Sequence, residues 1–186
     1  MKQIVFLRHG QAGMAAEDSA RTLTPLGKEQ AIESALRLKQ GGFRPDIIIS
    51  SPYKRAMETA EIAKNVILNN ISEPQKNNGS GNVIQNNISE ENVILNNIPE
   101  IQEEYSIAMQ DADAVIAAIN AAMQEHDSIL IVGHVPLFEE LPYYICGTVA
   151  RMKTGSFAWL EIEGLLPGQR KNNRLKENFI PGVGKV

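Results

Sequence analysis

The chain is predicted to be an α/β protein, a three-layer α/β/α sandwich with a mainly parallel central sheet and one late, antiparallel strand. Three observations carry this reading. Gln3–Leu7, Asp46–Ser50 and Ser128–Val132 are short, continuous, largely β-branched runs of the kind buried on both faces of a sheet. Each runs into a Gly or Pro turn: Arg8-His9-Gly10, Ser51-Pro52 and Gly133-His134-Val135-Pro136. Helical patterns separate the runs, which is the βα alternation of a sheet covered on both faces.

Taken in order, the first strand leads to a helix capped by Thr24, with Pro25 at its first position. Ala31, Ala35, Leu36 and Leu38 form its apolar stripe, and it ends at Gly41-Gly42. After the second strand, Ser51 and Pro52 predict a helix from Pro52 to about Lys64. An Ala-rich helix follows over Asp111–Gln124, with Val115, Ile116, Ile119 and Met123 on one side. Pro136 suits the first turn of a further helix after the third strand. Gly155–Ile162 is the late strand. Residues 164–186 are rich in Gly, Pro and basic residues, which predicts a loop, one short strand and a frayed tail.

At 186 residues and 43% apolar content the chain can bury one good core and is expected to form a single domain, 1–186. Its net charge of −4 gives no field for nucleic acid, and no run is long enough to span a membrane. Ile4–Leu7 is too short for the apolar core of a signal peptide, so a cytoplasmic protein is expected. The one cysteine, Cys146, allows no intramolecular disulfide and lies in an apolar stretch, as a buried, unreactive thiol would. No His/Cys cluster has metal-ligand spacing, and no cofactor is implied.

Residues 65–101 hold three near copies of a ten-residue unit: Asn65–Pro74, Asn82–Glu91 and Asn92–Ile101. Removing 65–91 would join Lys64 to Asn92 and preserve the local sequence, so these residues are expected to be a tandem insertion dispensable for catalysis. The first copy would extend the preceding helix by a turn. The third would supply a sheet strand through Val93-Ile94-Leu95.

The chemistry lies at the strand ends. In α/β proteins ligands bind outside the carboxyl ends of the strands. There Arg8-His9 joins a planar guanidinium, suited to phosphate oxygens, to an imidazole able to attack phosphorus. Arg55 lies in the first turn of the helix after Ser51-Pro52, where unpaired N–H groups favour anions. His134 stands at the third strand end. In a parallel sheet these ends converge on one rim.

The chain resembles the histidine phosphatase superfamily, also called the phosphoglycerate mutase-like fold. The resemblance rests on R-H-G at 8–10, S-P-x-x-R-A-x-x-T at 51–59 and G-H-x-P at 133–136. The R-x-L-T-x-x-G pattern at 21–27 is similar to the SixA-type phosphohistidine phosphatases. The resemblance implies that His9 is the nucleophile and that Arg8, Arg55 and His134 complete a catalytic quartet around the phosphoryl group. Arg21, which matches the SixA-type pattern, is implied as a phosphate or substrate contact, and Gln11, directly after Gly10, is placed to donate to phosphate as well. Glu100, in Ile98-Pro99-Glu100, is the candidate general acid, with Glu103 and Glu104 close behind. The expected activity is metal-independent hydrolysis of a protein phosphohistidine, the partner being a phosphohistidine-bearing protein such as a phosphorelay domain, with the enzyme a monomer. A phosphomonoesterase of small metabolites and a silent phosphate-binding adaptor are the alternatives.

Overall fold

The computed structural model describes residues 1–68, 99–165 and 170–182. Among these residues six strands form one sheet: β1 (Lys2–Arg8), β2 (Ile47–Ser50), β3 (Ile101–Glu103), β4 (Ser128–Gly133), β5 (Phe157–Ile162) and β6 (Arg174–Phe179), in the order β3-β2-β4-β1-β5-β6. The first four are mutually parallel, and β5 runs antiparallel to β1 and to β6. The α/β fold with a mainly parallel sheet and a late antiparallel strand is therefore present, with β6 as the short strand of the tail.

The period-2 alternation of β1 divides the core between the faces. Ile4 and Phe6 join Ile129, Ile131, Val115, Ile119, Phe138 and Leu141 on one face. Val5 and Leu7 join Leu130, Val132, Ala35, Leu38, Ala56, Ala60 and Trp159 on the other. The first face is covered by α3 (Tyr105–Ala108), α4 (Ala112–Glu125) and α5 (Leu137–Cys146), the second by α1 (Pro25–Gln40) and α2 (Lys54–Leu68).

Helix α1 has the predicted bounds, and the Thr24 hydroxyl accepts from Gly27 N at 3.0 Å. Helix α2 begins two residues later than predicted and runs on to Leu68. The late start has a cause: Ser51 Oγ is 2.7 Å from His134 Nε2 and only 3.4 Å from Tyr53 N, while Tyr53 O takes up Ala56 N at 2.8 Å. The Ser51 hydroxyl is thus divided between a short contact to a histidine and a long bond from Tyr53 N ahead of the helix. The far end includes Asn65–Leu68, the start of the first repeat copy, with Val66 and Ile67 in the core. Pro136 is the N-cap of α5, one position before the first turn.

The strand expected from Val93-Ile94-Leu95 lies outside the described residues. The sheet position beside β2 is instead filled by Ile101–Glu103, in register Ile48↔Ile101 and Ser50↔Glu103. The remainder of the insertion expected at 65–91, residues 69–91, also lies outside the described residues. Cys146 closes α5, half-buried, its Sγ 3.1 Å from Pro142 O. Among the described residues no helix is long and apolar enough to cross a membrane.

One close approach fixes the turn after β1. A Cβ on Gly10 would lie 2.2 Å from Gly27 O, and a Cβ on Gly27 would lie 2.0 Å from Gln11 O. The backbone after β1 thus rests directly on the first turn of α1, with Thr24 N donating to Gln11 O at 2.9 Å. Neither backbone can yield to an added methyl. Gly27→Ala is expected to lower unfolding free energy in denaturant by about 3 kcal/mol. Gly13→Ala, where the nearest heavy atom would be 3.9 Å away, is expected to cost less than about 1 kcal/mol.

Candidate active site

The parallel register sets the rim. Arg8 is opposite Gly133 and Ser50 opposite Val132, so the residues that follow, His9, His134 and Ser51, stand side by side at the carboxyl ends of β1, β4 and β2. His9 N donates to Gly133 O at 3.0 Å and Ser51 N to Val132 O at 2.9 Å. The two imidazoles meet edge to face, centroids 5.0 Å apart.

A cleft of about 300 Å³ opens here, lined by Arg8, His9, Gln11, Ala12, Arg21, Arg55, His134, Val135 and Thr154. Six of the seven residues singled out in the sequence therefore line one cleft. Glu100 does not. It is exposed and precedes β3, so it lies at the amino end of that strand, about 10 Å of extended chain from the rim. Glu103 and Glu104 reach the rim level, but the Glu104 carboxylate caps α3, accepting from Ser106 N and Oγ at 3.0 and 2.7 Å. Among the described residues no carboxylate lines the cleft.

His9 is held at both ring nitrogens. Its Nδ1 is 2.7 Å from Gly10 O, and Arg55 Nε is 3.2 Å from its Nε2. A carbonyl can only accept and a guanidinium can only donate. Nδ1 therefore carries the proton, and Nε2 keeps its lone pair toward the cleft. Burial lowers the His9 pKa to about 4, with the cations Arg55, Arg8 and Arg21 adding to the effect against the Gly10 bond. His134 is lowered to about 3, by burial first, then by His9 and Arg55. Its Nδ1 is buried and has no hydrogen-bond partner among the described residues. Both rings are neutral at pH 7.

Arg55, 6% exposed, is positioned by the loop between β1 and α1. That loop folds back on itself, with Ala12 bridged to Leu23 and Gly13 N bonded to Thr22 O at 2.9 Å. A 3-10 turn at Asp18–Ala20 forms part of it. Asp18 takes two bonds from Arg55: Nη1 to its backbone O at 2.6 Å, and Nη2 to Oδ2 at 2.8 Å. Arg21 donates to Asp18 Oδ1 at 3.0 Å and to Gly13 O at 2.7 Å. Arg8 Nη1 donates to Met152 O at 2.6 Å, and its buried Nε is unpartnered among the described residues. The Gln11 side-chain oxygen accepts from Thr24 Oγ1 at 2.8 Å.

Sequence reasoning passed over Asp18, Thr59, Glu58 and Thr154. Thr59 Oγ1 accepts from Gly10 N at 3.2 Å and donates to Arg55 O at 2.8 Å, tying the turn after β1 to α2. Glu58 accepts Leu23 N at 2.7 Å. The signal was present for Thr59, the last residue of the 51–59 motif; nothing in composition marked Asp18. No group of three or more His, Cys, Asp or Glu among the described residues could hold a metal.

Fold and cleft define an α/β protein whose polar site lies at the carboxyl rim of its parallel strands. A family model, the histidine phosphatase superfamily (branch 1), matches residues 4–75. The fold is similar to the protein histidine phosphatase SixA complexed with tungstate, at TM-score 0.70 and 21% identity over 96% of each chain. It is also similar to a mycobacterial glucosyl-3-phosphoglycerate phosphatase in complex with VO3, at TM-score 0.60 and 15% identity over 95% of this chain and 98% of that one. In sequence, 68 residues are 38% identical to a 2,3-bisphosphoglycerate-dependent phosphoglycerate mutase of Thermobifida fusca, covering 34% of this chain and 28% of the mutase. A further 40% identity over 62 residues relates it to the human mitochondrial serine/threonine-protein phosphatase PGAM5, covering 33% of this chain and 22% of that protein. The chain thus matches about a quarter of the length of these curated relatives. It carries the sequence signature of the histidine phosphatase superfamily in its N-terminal part and the SixA-like fold over nearly its whole length.

The neutral histidines have a consequence for stability. Free imidazoles protonate near pH 6.5, whereas these resist protonation down to about 4 and 3. Between pH 6.5 and 4 the unfolded chain binds more protons, so stability falls as pH drops through that window. The thermal midpoint is expected to decline from pH 7 to 4.5, and a His9→Asn/His134→Asn double variant should show a distinctly shallower decline.

Proposed function

We propose that the protein is a protein-phosphohistidine phosphatase acting through a phosphohistidine intermediate on His9. One observation carries the reading: a buried, neutral imidazole presents its Nε2 lone pair to a cleft lined by three arginines. His9 Nε2 attacks phosphorus in line, the substrate's P–N bond breaks with its electron pair on the departing imidazole, which leaves neutral because its other ring nitrogen carries a proton, and the phosphoryl group rests on His9 until water takes it as inorganic phosphate. As Nε2 bonds to phosphorus, the Arg55 donor that rests on it passes to a phosphoryl oxygen. Arg8, Arg21 and His134 are the remaining donors, set around the charge that spreads over the equatorial oxygens.

The substrate class follows from the leaving group. Imidazole leaves as a group whose conjugate acid has a pKa of about 6.5, whereas an alkoxide needs a strong proton donor. A cleft with no carboxylate among its described lining residues suits the former. The SixA relative, described as a protein histidine phosphatase and complexed with the tetrahedral oxyanion tungstate, supports the same reading. The partner is then a phosphohistidine-bearing protein, with no metal needed because arginines supply the positive charge. The phosphomonoesterase reading is favoured by the mycobacterial relative, described as a glucosyl-3-phosphoglycerate phosphatase.

A substrate panel separates the two. A phosphohistidine protein should be dephosphorylated with a higher kcat/KM than a phosphoserine peptide or phosphorylated sugars, and EDTA should leave the rate unchanged. His9→Ala should abolish turnover, and Arg8→Ala or Arg55→Ala should lower kcat on the order of 10²–10³-fold. Preference for a sugar phosphate would favour the phosphomonoesterase. Normal activity in His9→Ala would remove the mechanism.

A further inference from the structure

Among the described residues, Asp18 is the one acid bonded to the arginines of the cleft. Its Oδ1 accepts from Arg21 and its Oδ2 from Arg55, while its side chain remains 57% exposed. The two arginine bonds hold its carboxyl below the usual carboxylate range, so it is ionised at neutral pH. Arg21 and Arg55 line the cleft, and Asp18 is bonded to the guanidinium ends of both. Three arginines and the one carboxylate bonded to them leave two net positive charges, before the longer-range pull of Glu139 on Arg8. That matches a single phosphoryl dianion and leaves nothing for a second anionic group.

Resting on the reading of this cleft as a phosphoryl site, we propose that Asp18 is a specificity-determining residue: it cancels the charge by which Arg21 and Arg55 would otherwise hold a second anion, so the cleft selects phosphoryl groups whose leaving group carries no further negative charge. A phosphorylated imidazole meets this condition. Metabolites bearing a carboxylate or a second phosphate beside the phosphoryl group do not. Asp18 acts through the arginines and need not touch the phosphoryl group.

Two phosphonates of one shape isolate the charge. Phosphonoacetate carries a carboxylate beside its phosphonate, and carbamoylmethylphosphonate carries a neutral amide in the same place. Calorimetric titration gives both dissociation constants for the wild type, Asp18→Asn, Asp18→Ser and Glu17→Gln. Glu17 takes part in none of the ion pairs among the described residues. The wild type should prefer the amide. Both Asp18 variants should shift the ratio toward phosphonoacetate by about fivefold, as one unit charge several Å away in a hydrated cleft would do. Glu17→Gln should leave the ratio within about twofold of the wild type. If the Asp18 variants weaken both ligands equally, Asp18 only holds the arginines in place and the specificity role is overturned. A shift of the same size in Glu17→Gln would overturn it too, because the effect would then belong to net charge. If neither phosphonate binds the wild type, the phosphoryl-site reading itself fails.

Discussion

The site depends on one buried pair of contacts: Gly10 O against His9 Nδ1, and Arg55 Nε against His9 Nε2. A histidine on a surface would exchange tautomers and titrate near pH 6.5. Here the carbonyl fixes the proton on one nitrogen, the guanidinium reserves the lone pair of the other, and burial keeps the ring neutral. Both partners are themselves constrained. Gly10 is pressed against Gly27 and tied through its N–H to Thr59, and Arg55 is bonded to Asp18 through both terminal nitrogens. Displacing any of these would disturb the imidazole.

The sheet supplies the other half of the arrangement. Parallel pairing of β1, β4 and β2 brings three carboxyl ends to the same level, so residues far apart in sequence become neighbours without long loops. The loop from Gln11 to Thr24 then closes over one side, and the segment with Met152 and Thr154 closes the other. Arg8, Arg21 and Arg55 each donate to a backbone carbonyl of these closing segments, and Asp18 adds a carboxylate bonded to Arg21 and Arg55.

Much of this was legible in the sequence because the chemistry stands at strand ends, where apolar runs stop abruptly. Arg8, His9, Arg55 and His134 could each be placed at such a boundary, while the close approach of Gly27 to the turn after β1 went unread. What escaped depends on partners distant in sequence. Asp18 gained its place when the Ala12–Leu23 bridge folded its loop toward α2. Ser51 read as a helix cap, yet its hydroxyl was divided between a histidine 83 residues away and Tyr53 N, and α2 began late as a result. Glu100 fitted a motif, but the strand following it is only three residues long and leaves it at the wrong end of the sheet. The repeats hid that strand, since three near-identical copies offered the same apolar run.

The central claim, that His9 is a neutral imidazole with its proton on Nδ1 and a bare Nε2, is open to direct reading by 15N NMR of the histidine side chains. At pH 6 the account predicts, for His9, one protonated nitrogen assignable to Nδ1 and an Nε2 shift typical of an unprotonated ring nitrogen, both unchanged as the pH is lowered to 5. A His9 signal that titrates near pH 6.5, or one that carries its proton on Nε2, would contradict it.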